Sequence, residues 1–142
     1  MIFDHLIREL DSALENNQRI IPSFKNALAK ARVTMASNFE AGVSTDLLIK
    51  ANSDFMDDIM RLAWNRFKWT ENRTSWRKSR ISLLAVGGYG RQELLPNSDI
   101  DLLILLERNN QSAHRDNIQS FTTLLWDIGL EVGHSVRSIA EC

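Results

Sequence analysis

The apolar pattern of this chain changes period near residue 81, and that change limits the folds open to it. Before it, apolar residues recur every three or four positions. After it come two short unbroken runs, "ISLLAVGG" (81–88) and "DIDLLILL" (99–106). Runs of this length, rich in Ile, Leu and Val and bounded by glycine or polar residues, are the pattern of buried strands. A helical stretch follows, "SAHRDNIQSFTTLLWDIG", with Ile118, Phe121, Leu125 and Ile128 on one face and Gly129 as C-cap. Then comes a third strand, "LEVGHSVRS". Helices, strand, glycine turn with a short helix, strand, helix, strand is an α+β order with α/β character and a small mixed sheet.

The first half is read as helices. Leu6, Leu10 and Leu14 lie on one face of the first. Pro22 marks a break or a start, and Ser23 to Phe39 forms a second, weaker helix that Gly42 punctuates. Ser44-Thr45-Asp46 offers N-cap chemistry for a third helix, in which Leu48, Ala51, Phe55, Ile59 and Leu62 form the apolar stripe and which is expected to run to about Trp69. The expected division is a helical region over residues 1–75 and a catalytic core over 76–142.

Composition excludes several classes. Of 142 residues, 44% are apolar and 25% charged, with a net charge of −1, which fits a soluble globular domain and argues against a general nucleic-acid or acidic-membrane binder. No apolar run is long enough to span a bilayer. Asp4, His5, Arg8 and Glu9 interrupt any signal peptide. The single cysteine, Cys142, excludes an internal disulfide framework and a cysteine-rich zinc site, so the expected compartment is the cytoplasm.

Charge is uneven along the chain. Arg61, Arg66, Lys68, Arg73, Arg77, Lys78 and Arg80 stand against the single acid Glu71, with Trp64, Phe67, Trp69 and Trp76 interleaved. An RNA-binding patch has this composition. Near-helical spacing favours packed aromatics with cations on the outer face. Some of those cations are also placed to neutralise a nearby triphosphate.

The chemistry concentrates in "LLAVGGYGRQELLPNSDIDLLILL" (83–106). Residues i and i+2 of a strand share a face, so Asp99 and Asp101 project side by side while Ile100 and Leu102 turn to the core. Two carboxylates this close repel unless a cation sits between them. Mg²⁺ suits one or two carboxylates completed by phosphates and water. Gly87 and Gly88 let the backbone approach a ligand, and the amides of the helix start that follows face an anion. Arg91, one turn on, offers a bidentate phosphate contact. Separately, Gly-Gly and D-x-D are weak signals, since most mark turns and strand mouths. The segment is neither a dinucleotide fingerprint nor a P-loop. The combination of strand, Gly-Gly, about ten residues and D-x-D opening the next strand is the specific feature.

That combination resembles the polymerase-β-like nucleotidyltransferase superfamily. "LLAVGGYGRQELLPNSDIDLLIL" and "LLWDIGLEVGHSVRSIAEC" are similar to the N-terminal catalytic region of the bacterial PII uridylyltransferase/uridylyl-removing enzymes. The likeness is strong from Leu83 to Cys142 and loose over the helical half. Gln92 stands where that family often has glycine. The resemblance implies an Mg²⁺-dependent transfer of UMP from UTP to a tyrosine of the signalling protein PII. By that pattern Gly87 and Gly88 hold the triphosphate, with Arg91 and Ser98 as further nucleotide contacts, and Asp99 and Asp101 bind the metal. The superfamily's third carboxylate has a candidate in Glu131, which equally suits a structural role. His134 is a candidate phosphate contact or a structural residue. Glu93 is read as a partner of Arg91, His5 and His114 as surface residues, and Trp126 as core. No nucleic acid or membrane is expected as a partner.

Members of that family continue for several hundred residues, with hydrolase and ACT domains that this sequence lacks. The expectation is a truncated catalytic segment with an open sheet edge and an uncovered apolar face, weak or inactive alone. The rival readings are another small nucleotidyltransferase with a different acceptor, and a non-catalytic module that binds nucleotide or PII.

Overall fold

The computed structural model describes residues 2–69, 81–94, 99–107 and 111–139. The elements are α1 (Asp4–Glu15), α2 (Ile20–Glu40), α3 (Thr45–Trp64), β1 (Ile81–Val86), α4 (Gly87–Gly90), β2 (Ile100–Leu106), α5 (Gln111–Asp127) and β3 (Val132–Ser138). The expected α+β order holds throughout. The division expected at residues 75 and 76 lies outside the described residues, as do Trp76, Ser98 and Cys142.

Leu6, Leu10 and Leu14 are the buried face of α1. Helix α2 starts three residues earlier than expected, with Pro22 tolerated in its first turn, where no intrahelical N–H bond is lost. The Ser44 hydroxyl caps α3 by accepting the Leu47 N–H at 3.3 Å. This helix ends at Trp64 rather than near Trp69. The reason is Trp69 itself, which folds back on the helix end. Its indole N–H donates to the Trp64 carbonyl at 2.7 Å, and the two rings stack with centroids 3.8 Å apart. Phe121 meets Trp64 edge-on, so these aromatics are core packing.

The sheet has the order β1-β2-β3. Strand β1 runs antiparallel to β2, and β3 runs parallel to it after the α5 crossover. The sheet is therefore mixed, as expected. Ile100, Leu102, Ile104 and Leu106 bury one face of β2, and the first three join a cluster that also takes in Phe121 and Leu125 of α5 and Phe55 and Ile59 of α3. The opposite face carries three cross-strand rows: Val86–Asp101–Gly133, Leu84–Leu103–Ser135 and Ser82–Leu105–Arg137. Leu84 on this face is 41% exposed among the described residues.

Two side chains on α5 contradict the expectation. His114 is buried at 1% exposure, with its Nε2 unpaired among the described residues. Trp126 is 53% exposed and donates its indole N–H to the Val132 carbonyl at 3.3 Å. The stripe through Ile118, Phe121, Leu125 and Ile128, extended back by one turn, reaches position 114 and bypasses 126. His5 is exposed, as expected.

Candidate functional site

The site forms where β1 and β2 end together. Val86 is the last residue of β1 and pairs with Asp101. The chain then turns into α4 through Gly87, whose φ of +62° is the left-handed conformation that glycine adopts without strain. A methyl group on Gly87 would lie 2.9 Å from Asp101 Oδ2. On the other side, a methyl on Gly133 of β3 would lie 3.2 Å from Asp101 Oδ1. The Asp101 carboxylate thus occupies a slot whose two walls are glycine backbones. Gly133 was not singled out in the sequence. A glycine inside a strand pattern is the signal that marks it, because it permits close approach.

Asp99 precedes β2, two residues from Asp101, and both side chains are exposed at the strand mouth. Ile100 between them is buried, which confirms the alternation expected for D-x-D. Two such carboxylates are a donor set that Mg²⁺ takes with phosphates and water. No group of three or more His, Cys, Asp or Glu side chains able to hold a metal is present among the described residues.

Glu131 is exposed and lies one residue before β3, and its carbonyl accepts the Ile100 N–H at 2.9 Å. Extending the β2–β3 register by one residue sets it beside Asp99. His134 pairs with Leu102 and so belongs to the face opposite Asp101. This removes it as a phosphate contact at the carboxylate pair.

Helix α4 is one turn long and ends in a Schellman motif. The Glu93 N–H reaches the Gly88 carbonyl at 2.9 Å, and the Gln92 N–H reaches Tyr89 at 3.0 Å. The motif puts its penultimate residue in the left-handed region, and Gln92 has φ +58°. Gly90 has a different task. A methyl there would lie 2.7 Å from the Ala85 carbonyl, so α4 packs directly on β1. Arg91 is exposed, and its Nε donates to Glu93 at 3.2 Å, the pairing read from the sequence. Its terminal nitrogen lies 3.8 Å from where a methyl on Gly88 would stand, so the guanidinium lies over the glycine turn. With both partners about two-thirds exposed, the ion pair is weak and leaves the arginine available to an anion.

The family model described as "Nucleotidyltransferase domain" matches residues 68–142, a stretch that contains the glycine turn and both aspartates. The chain belongs to the nucleotidyltransferase domain family. Named relatives agree. The bifunctional uridylyltransferase/uridylyl-removing enzyme of Azotobacter vinelandii (strain DJ / ATCC BAA-1303) is 52% identical over 122 residues, covering 86% of this chain and 13% of that protein. The protein of the same description from Stutzerimonas stutzeri (strain A1501) is 47% identical over 141 residues, 99% of this chain and 15% of its own length. The likeness therefore runs through the helical half as well, further than its lack of motifs suggested. This nucleotidyltransferase chain spans about one seventh of the length of these relatives. No solved structure matches it. No helix among the described residues is long and apolar enough to cross a membrane.

Proposed function

We infer that this chain carries the nucleotide-transfer site of a PII uridylyltransferase, which moves UMP from UTP to a tyrosine hydroxyl of PII in the cytoplasm. The observation that carries the reading is the Asp101 carboxylate set between Gly87 and Gly133, one strand from the glycine turn.

Asp99 and Asp101 would hold Mg²⁺. Bound there, the ion would neutralise phosphate charge and stabilise the leaving pyrophosphate. The chain's own residues do the rest. Gly87 and Gly88 admit the triphosphate close to the backbone. Arg91 offers a guanidinium to its oxygens, and Ser98, outside the described residues, is a further contact. Glu131 is the proposed third carboxylate. In the reaction the tyrosine oxygen forms a bond to the α-phosphorus, the bond from that phosphorus to the bridging oxygen breaks, pyrophosphate leaves, and the phenolic proton passes to a base or to water. The likeness to uridylyltransferases supports UTP as donor and PII as acceptor.

The test is Mg²⁺-dependent transfer of labelled UMP from UTP to PII, by this chain and by a longer protein extended past Cys142. Transfer by either supports the assignment, and transfer by the short chain raises Glu131 to metal ligand. Absence of transfer from both overturns it in favour of another acceptor or a binding module.

A further inference from the structure

A one-turn helix cannot hold its own position, since it makes too few internal hydrogen bonds to outlast their nucleation cost. Yet α4 must keep Gly87 against Asp101 for the proposed site to exist. Strands β1 and β2 pack against it, and side-chain hydrogen bonds from α3 tie it and the residues that follow. The Tyr89 side chain is 4% exposed, and its hydroxyl donates to Asp57 Oδ1 at 2.6 Å, the length of a charge-assisted bond. One helical turn earlier, the Ser53 hydroxyl, on a side chain 1% exposed, accepts the Leu94 N–H at 3.3 Å. Asn52 donates to the Leu94 carbonyl at 3.1 Å. Asn52, Ser53 and Asp57 therefore form a polar line on a helix whose neighbouring Phe55, Met56 and Ile59 are core. The line grips the segment 87–94 at its middle and at its far end. Burying a polar side chain in such a face is unfavourable unless it is bonded, and here Asp57 bonds to Tyr89 of the glycine turn while Asn52 and Ser53 bond to Leu94 beyond it.

We propose that Asp57 is a positioning residue for nucleotide binding, acting through Tyr89 to hold the Gly87–Gly90 turn in register with Asp101. The proposal rests on the uridylyltransferase reading for its ligand, Mg²⁺·UTP. The tether itself is read without nucleotide. Helix α3 lies outside the stretch matched as a nucleotidyltransferase domain, so the control comes from beyond the motif-bearing half.

The experiment compares Tyr89→Phe, Asp57→Leu and Asp57→Asn in the 142-residue chain. Amide hydrogen exchange is followed at Arg91, Gln92 and Glu93, whose N–H groups close the turn. Tyr89→Phe keeps the ring in the core and loses only the donor. It is expected to speed exchange at these amides by about tenfold while α1 and α5 stay unchanged. Asp57→Leu should match it. Asp57→Asn keeps an acceptor and should return exchange to within about twofold of the parent. Mg²⁺·UTP affinity should follow the same order, with losses of about fivefold or more for the first two and rescue by asparagine, a ranking that general destabilisation does not produce. The double variant Tyr89→Phe/Asp57→Leu should be no worse than either single one. Unchanged exchange in Tyr89→Phe overturns the proposal, as does faster exchange with unaltered Mg²⁺·UTP affinity. If the unsubstituted chain binds no Mg²⁺·UTP, the uridylyltransferase reading falls, and the exchange order alone decides whether the tether holds the turn.

Discussion

Gly87 and Asp101 stand so close across the end of the β1–β2 ladder that a single methyl on the glycine would come within 2.9 Å of the carboxylate. The contact joins the two halves of the proposed site, the turn for the triphosphate and the acid for the metal. It also makes the glycine a more sensitive position than the acid it faces. Gly87→Ala must hold alanine at φ +62°, which costs about 1–2 kcal/mol. It must also displace the Asp101 side chain. The expected outcome is a loss of Mg²⁺·UTP binding together with a lower melting temperature. Gly133→Ala, at 3.2 Å and without a positive φ, should lose less of both. Calorimetric melting beside a nucleotide titration checks the ranking.

Asp101→Asn separates charge from shape. The amide is isosteric with the carboxylate, and the slot between the glycines is unchanged. Stability should stay within about 0.5 kcal/mol of the parent, as for substitutions that leave packing intact. Divalent-ion affinity in the presence of UTP should fall by at least the roughly 10–100-fold that follows loss of a supporting metal contact. Binding that survives unchanged would remove Asp101 from the metal set.

Gln92 is the place where this chain carries strain that one substitution relieves. Its φ of +58° is imposed by the Schellman closure of α4. The equivalent left-handed positions after α2 and α5 are Gly42 and Gly129, and after α1 Asn17. Glutamine has neither the freedom of glycine nor the short side chain of asparagine. Gln92→Gly should stabilise the chain by about 1 kcal/mol. That corresponds to a rise of roughly 3 °C in melting temperature.

The Tyr89 phenol sets an alkaline limit. Burial, followed by its hydrogen bond to the Asp57 carboxylate and the nearby negative charge, raises its pKa well above the ordinary value of 10.0. The folded state therefore keeps its proton when the unfolded state begins to lose it. The stabilisation is fully present below about pH 10 and declines as pH rises beyond it. Tyr89 is the chain's only tyrosine, so phenolate absorbance reports this one group. It should emerge late and together with unfolding. Tyr89→Phe should abolish the signal and flatten the pH dependence of stability above about pH 10.

Much of this molecule was legible because its information is local. The leucines of α1, the Ser44 cap, the three strands and the alternation around Ile100 all follow from periodicity within a dozen residues. The turn and the paired aspartates were legible for the same reason. Other features depend on pairings between distant parts of the chain. Gly133 acquires meaning only from its register with Asp101. The same register sets His134, read as either a phosphate contact or a structural residue, on the face opposite Asp101. The hydrogen bond from Tyr89 to Asp57 spans 32 positions and leaves no trace in the spacing of either segment. Trp126 is read onto the apolar face of its helix and His114 onto the surface, and the stripe through Ile118, Phe121 and Leu125, which passes 114 and not 126, reverses both.

The burial of Tyr89 has one more consequence. A catalyst that places nucleotides on tyrosine hydroxyls is at risk from its own chemistry wherever it displays such a hydroxyl. This chain has a single one, and it sits on the turn proposed to cradle the donor. Its oxygen faces inward, with its proton committed to Asp57 and its ring enclosed. On the uridylyltransferase reading proposed above, the bond proposed to steady the turn would also keep this tyrosine from serving as an acceptor.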